Sequence, residues 1–140
     1  MVKYILGIDP DKGWALVNRG SGRIISAGTV TGIEGIFRIL QSLKPLVRSV
    51  KIRVELPSSK KVWIGKGLPD SVRLDMAEKV GENRAKAKVI LLVARMMGFE
   101  VETCEPPGKI SREYLELLHG YSERTSQHAR DAIIIAMGKI

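Results

Sequence analysis

Apolar residues along this chain alternate between two spacings, and the switches between them mark the elements. Tyr4-Ile5-Leu6-Gly7-Ile8 is a short apolar run that stops at Asp9 and the turn residues Pro10-Asp11-Lys12-Gly13. A run of that length bounded by Pro and Gly predicts a buried strand. Trp14 to Val17 predicts a second strand, Arg19-Gly20-Ser21-Gly22 a tight hairpin turn, and Arg23 to Val30 a third strand, together an antiparallel meander. The spacing then becomes helical through Ile33, Ile36, Phe37, Leu40, Leu43 and Val47, with Pro45 set to end or kink the helix. Val50, Ile52 and Val54 alternate with Lys51, Arg53 and Glu55, the signature of a fourth strand. Because it follows a helix, it is expected parallel to the first, joined by a crossover.

Residues 56–73 carry no clean period and hold two Pro and two Gly among several Lys and Arg. A stretch of this length predicts a functional or mobile loop. A long helix is expected from about Leu74 to Met97, with a break near Gly81. Its inward stripe is read as Ala85, Val89, Leu92, Val93 and Met96, while Ile90, Ala94 and Met97 add apolar surface on another side. A helix apolar on more than one side calls for a second cover, either a homodimer contact or the C-terminal helices. Gly98 caps it, and Phe99 to Cys104 predicts a fifth strand ending in Glu105-Pro106-Pro107-Gly108. Ile110 to Leu118 predicts a short helix. Thr125 or Ser126 is a suitable N-cap for a last helix running through Met137. The order β-β-β-α-β-α-β-α-α is that of an α/β fold, a five-stranded mixed sheet (three antiparallel strands plus two parallel) with helices on both faces.

Composition narrows this picture without overturning it. The 140 residues suit one domain, 1–140, and 44% hydrophobic with 27% charged residues is a globular rather than a disordered balance. No apolar run approaches the roughly 20 residues of a membrane span, and the N-terminus lacks the pattern of a secretory signal. The one cysteine, Cys104, excludes an internal disulfide framework, fits a reducing, cytoplasmic setting, and reads as a buried small hydrophobe. The net charge of +8 favours polyanions, nucleic acid first among them.

Against that basic background, a few acids fall at telling positions. Asp9 and Glu55 close the first and fourth strands; if these are neighbours and parallel, both carboxylates emerge at one sheet edge, about 4.8 Å apart. His128 and Asp131 are spaced i, i+3 at the start of the last helix and share a face. Carboxylates with one imidazole form the hard-oxygen environment of Mg²⁺ or Mn²⁺, and such a set can serve phosphodiester chemistry. Each residue also has a plainer role open to it: Glu55 pairing with Arg53 or a lysine, Asp131 favouring the helix dipole, His128 as a surface histidine. Trp63 reads equally as a base-stacking group and as a loop anchor.

Gly7-Ile8-Asp9-Pro10 after a strand, Val54-Glu55 ending another, and His128-Ala129-Arg130-Asp131-Ala132 opening the final helix resemble the RuvC family of Holliday junction resolvases, with its RNase H-like fold. The likeness runs through nearly the whole chain. It implies that Asp9, Glu55, His128 and Asp131 are the catalytic residues and bind two Mg²⁺ ions, for which Mn²⁺ can substitute. It further implies a homodimer that nicks symmetric strands of a four-way DNA junction, leaving 5′-phosphate and 3′-hydroxyl ends. Gly81-Glu82-Asn83-Arg84-Ala85 looks like the start of the family's dimer-forming helix, and Lys109 resembles a basic position facing the scissile strand. Lys60, Lys61, Trp63, Lys66, Arg84 and Lys88 complete the expected DNA-binding set. Asp11 and Lys12 depart from the family pattern, which has a glycine and a small polar residue there, and Leu56-Pro57-Ser58 lacks the family's aromatic wedge. Two other readings remain: a relaxed nuclease of the same fold acting on forks, flaps or RNA–DNA hybrids, and a non-catalytic nucleic-acid-binding module.

Overall fold

A computed structural model describes residues 1–56, 69–105, 111–121 and 126–138. Five strands form one sheet in the order β3-β2-β1-β4-β5: β1 (Tyr4–Asp9), β2 (Gly13–Asn18), β3 (Ile24–Thr29), β4 (Val50–Glu55) and β5 (Glu100–Cys104). As expected, β1, β2 and β3 pair antiparallel, while β1–β4 and β4–β5 are parallel. The hairpin between β2 and β3 closes on Asn18, whose Oδ1 accepts hydrogen bonds from the N–H of Gly20 and Ser21.

Strand alternation sorts side chains onto two faces. Leu6 and Ile8 of β1 and Val50, Ile52 and Val54 of β4 point to one side, where they pack with Ile36 and Leu40 of α1 (Gly32–Leu43) and with α2 (Asp70–Met96). Ile5 of β1, Ala15 and Val17 of β2 and Ile24 of β3 point to the other. There they meet Ala132, Ile133, Ile134 and Ala136 of α4 (Gln127–Met137) and Leu115 of α3 (Arg112–His119). Helix α1 stops at Leu43 and passes into a 3₁₀ turn, Lys44–Leu46, around Pro45, which cannot supply the next helical N–H.

Helix α2 differs from the sequence reading in three ways. It starts at Asp70, so the end of the supposed loop is already helical, and it continues through Gly81 without a break. A lone glycine in a helix costs only about 1 kcal/mol relative to alanine, and 27 residues absorb that. Its inward stripe is also a different one. Ala87, Ile90, Leu91 and Ala94 are buried, while Ala85, Val89, Leu92 and Met96 are exposed and Val93 is half-buried. Small side chains at Ala87 and Ala94 let the helix approach the sheet closely, whereas the bulkier stripe faces outward. None of the side chains described between Asp70 and Lys86 is buried. Just beyond the helix, Gly98, with φ of 94°, is a left-handed residue that lets the Phe99 N–H reach back to the carbonyl of Ala94.

Candidate metal centre

The parity that sends Ile5 and Gly7 toward α4 sends Asp9 the same way, at the carboxyl end of the central strand. Beyond it the chain turns at once. The N–H of Asp11 donates to Oδ1 of Asp9 at 3.1 Å, a local side-chain turn that fixes the orientation of the Asp9 carboxylate.

The other half of the site comes from the first turns of α4. Ser126 caps the helix, its Oγ accepting from the N–H of Ala129 at 3.2 Å, so the second of the two expected cap residues is used. The helix lies close to the sheet because β1 and β2 offer no side chain beneath it at Gly7 and Gly13. A Cβ built on Gly13 would stand 2.0 Å from the carbonyl oxygen of His128, and one on Gly7 would stand 2.4 Å from that of Ala132. Helix and strands thus meet backbone to backbone, with Ala132 and Ala136 facing Gly7.

This seating brings Asp9, His128 and Asp131 together, with one ligand atom from each within 4.8 Å of the others. The Nδ1 of His128 lies 3.2 Å from Oδ2 of Asp9; a carboxylate only accepts, so Nδ1–H is the donor. Asp11 stands nearby, its Oδ2 3.7 Å from the same nitrogen. Asp131 accepts at Oδ1 from the side-chain amide of Gln127 at 2.9 Å, and Gln127 accepts in turn from Arg130 at 3.1 Å. Asp9 and Asp131 are only 8% and 6% exposed. Two buried carboxylates this close repel each other, and one imidazole supplies at most a single positive charge against them. A small divalent cation fits this donor set: carboxylate oxygens and one imidazole nitrogen, with room for water ligands on the half-exposed histidine side.

Three of the four residues expected at the site therefore converge. Glu55 sits at the end of β4, one step beyond the Ile8–Val54 register pair, on the same side of the sheet, but it is not part of the close group. Its register partner is Cys104, half-buried, whose thiol is pushed up to about 11 by burial and by the neighbouring Glu55 carboxylate. Arg84 and Lys88 lie on α2, the first partly buried and the second exposed. Lys60, Lys61, Trp63, Lys66 and Lys109 lie outside the described residues, as does Thr125. The sequence reading missed Gln127, although its i, i+4 spacing to Asp131 is the signal for a side-chain pair on one helix face. It also missed Gly7 and Gly13 as the seat of the helix.

Neither a protein-family model nor a curated protein matches this chain. Among solved structures, T. thermophilus RuvC in complex with a Holliday junction substrate matches with a TM-score of 0.53 over 96% of this chain and 90% of that one, at 20% identity. The fold is RuvC-like. At that identity the likeness concerns the fold, and the chemistry has to be argued from the side chains.

Proposed function

We propose that this chain is a metal-dependent nuclease of the junction-resolvase type, which nicks symmetrically placed strands of four-way DNA junctions. The observation that carries this reading is the Asp9–His128–Asp131 cluster at the carboxyl end of the central strand of a RuvC-like sheet. The solved relative is a RuvC with a Holliday junction substrate, which supports branched DNA as the ligand class. The charge of +8 suits a polyanion, and an acidic cluster within a basic protein needs a cation before a phosphate can approach.

In this reading Asp9, His128 and Asp131 would hold Mg²⁺ or Mn²⁺, and Glu55, at the end of the neighbouring strand on the same side, would be a further ligand for a second ion. Bound there, the ions supply an activated water and stabilise the leaving 3′-oxygen, so that 5′-phosphate ends result. The chain's own contribution is to hold the donors. The Asp11 N–H orients Asp9, Gln127 orients Asp131, and Asp9 orients the His128 ring. Lys60, Lys61, Trp63, Lys66, Arg84, Lys88 and Lys109 are proposed to hold the DNA backbone and bases. The described residues contain no helix long and apolar enough to cross a membrane.

A homodimer suits paired nicking, and α2 offers the surface for it. Val89, Leu92 and Met96, 43%, 57% and 78% exposed, follow one another at spacings of three and four. Two copies crossing about a two-fold axis would cover this stripe on both. Leu92→Lys should turn a dimer into a monomer in sedimentation.

The deciding experiment is cleavage of a synthetic immobile four-way junction, with a fork and an RNA–DNA hybrid alongside, in Mg²⁺, Mn²⁺ and Ca²⁺. The junction should be cut with the first two ions and bound uncut with the third. Asp9→Asn should bind the junction without cutting it; Mg²⁺-dependent cutting by that variant would remove the proposed mechanism. Preferential cutting of the fork or the hybrid would replace the junction as substrate, and binding without cutting under every ion would make the chain a binding module.

A further inference from the structure

The metal centre draws on the first half of α4, but the last turn of that helix is held by a residue the proposed chemistry does not use. Arg53, in the middle of β4, points to the α4 side of the sheet by the same parity as Glu55. Its Nη1 donates to the carbonyl oxygens of Ile135 and Ala136, at 3.1 and 2.8 Å. These belong to the last four carbonyls of α4, which have no partner within the helix. Glu102, the register partner of Arg53 on β5, accepts from its Nε and pairs with Lys51 at 2.8 Å. The guanidinium is thus fixed to the sheet by one side of its fork and grips the helix with the other. A positive group at a helix C-terminus is also favourable to the helix dipole.

We infer that Arg53 is a positioning residue for the metal centre, locking the axial position of α4 so that His128 and Asp131 stay in register with Asp9. This inference rests on the metal-site reading above. Helix α4 meets β1 and β2 through Gly7 and Gly13, which set how closely it approaches, and through the apolar side chains of Ile5, Ala15 and Val17, whose contacts are non-directional and leave its C-terminal end without a hydrogen-bonded stop against sliding along its axis. Arg53 supplies that stop. Ala136 lies eight residues from His128, about 12 Å along the axis, and a helix transmits an axial shift over that distance undiminished. Gly138, at φ of 78°, leaves room for the fork; a Cβ there would stand 3.3 Å from Nη1.

The test is Mn²⁺ binding to the full chain, followed by electron paramagnetic resonance of the free ion, with junction cleavage measured against Mn²⁺ concentration. Arg53→Ala should raise the half-saturating Mn²⁺ concentration about tenfold, the lower range for groups that orient metal ligands, with cleavage largely restored at saturating Mn²⁺. Arg53→Lys, keeping one charged donor for the carbonyls, should fall between it and the wild type. Ile36→Val, a core truncation on the opposite face, should lower the melting temperature without moving the Mn²⁺ midpoint; it separates looseness at the site from loss of stability. An unmoved midpoint in Arg53→Ala, with wild type binding Mn²⁺, would overturn the positioning role alone. Wild type failing to bind Mn²⁺ would overturn the metal-site reading and this inference with it. If Arg53→Ala does not fold, Arg53→Lys decides, since a midpoint equal to wild type would refute the two-carbonyl grip.

Discussion

Against one face of the sheet, α1 and α2 lay Ile36, Leu40, Ile90 and Leu91 onto Leu6, Ile8, Ile52 and Val54, a conventional core of branched side chains. Against the other, Ile5, Val17, Ile24, Ile133 and Ile134 also pack together, but over Gly7 and Gly13 helix α4 lies so low that its carbonyls are the nearest neighbours. Branched cores tolerate repacking because side chains can adjust, whereas backbone on backbone has nothing that yields. The tolerant face lacks the acidic cluster, and the rigid face carries it, because a metal site needs donors held to a fraction of an ångström.

If the two faces differ in this way, one methyl group should do more damage on the α4 side than three carbons removed from the other. Gly13→Ala forces the His128 carbonyl away, and a displacement near 1 Å costs about a hundredfold in rate; junction cleavage at saturating metal reads this. Leu40→Ala, from a fully buried position on the α1 face, should lower stability by about 2–5 kcal/mol in urea unfolding while leaving the Mn²⁺ midpoint unchanged. A shifted midpoint there would erase the distinction between the faces. Gln127→Ala removes the amide that orients Asp131 and should weaken Mn²⁺ binding about tenfold with little effect on melting.

The smallest effect belongs to the edge strand β5, on the α4 side of the sheet. Burial tends to raise the Glu102 carboxyl, but hydrogen bonds and attraction from Lys51 and Arg53 outweigh it and hold its pKa below the ordinary 4.5. A depressed folded pKa contributes stability above the unfolded value and loses it as the pH falls through the folded one. Glu102→Gln should therefore be less stable than wild type at neutral pH, and the two should converge in acid below 4.5. Curves that stay parallel would assign the loss to packing instead.

Much of this is legible in the sequence. The strands announced themselves because β4 alternates cleanly and β1 ends on a charge, and both Asp9 and the His128/Asp131 pair stood out as acids and an imidazole at element ends. The inward stripe of α2 did not. That helix is apolar on several sides, and hydrophobic bulk points to Val89, Leu92 and Met96, although the sheet accepts the slimmer Ala87 and Ala94 stripe. Nor could Gly7 be recognised as a seat: a glycine inside a strand ordinarily reads as a weak point, and its reason lies in a helix more than a hundred residues away. The grip of Arg53 on α4 carries no sequence signal, because its partners, two backbone carbonyls, leave no mark in composition.

The parity of β1 bears on how this chain can change over time. Each residue from Ile5 to Asp9 has its side assigned, apolar toward α1 and α2 at Leu6 and Ile8, and small or acidic toward α4 at Gly7 and Asp9. Lineages can therefore exchange one branched residue for another along the strand. They cannot gain or lose a single position in it, since that would turn the carboxylate into the oily layer and a branched side chain into the helix backbone. Descendants of this chain should differ in the letters of β1 and never in its count.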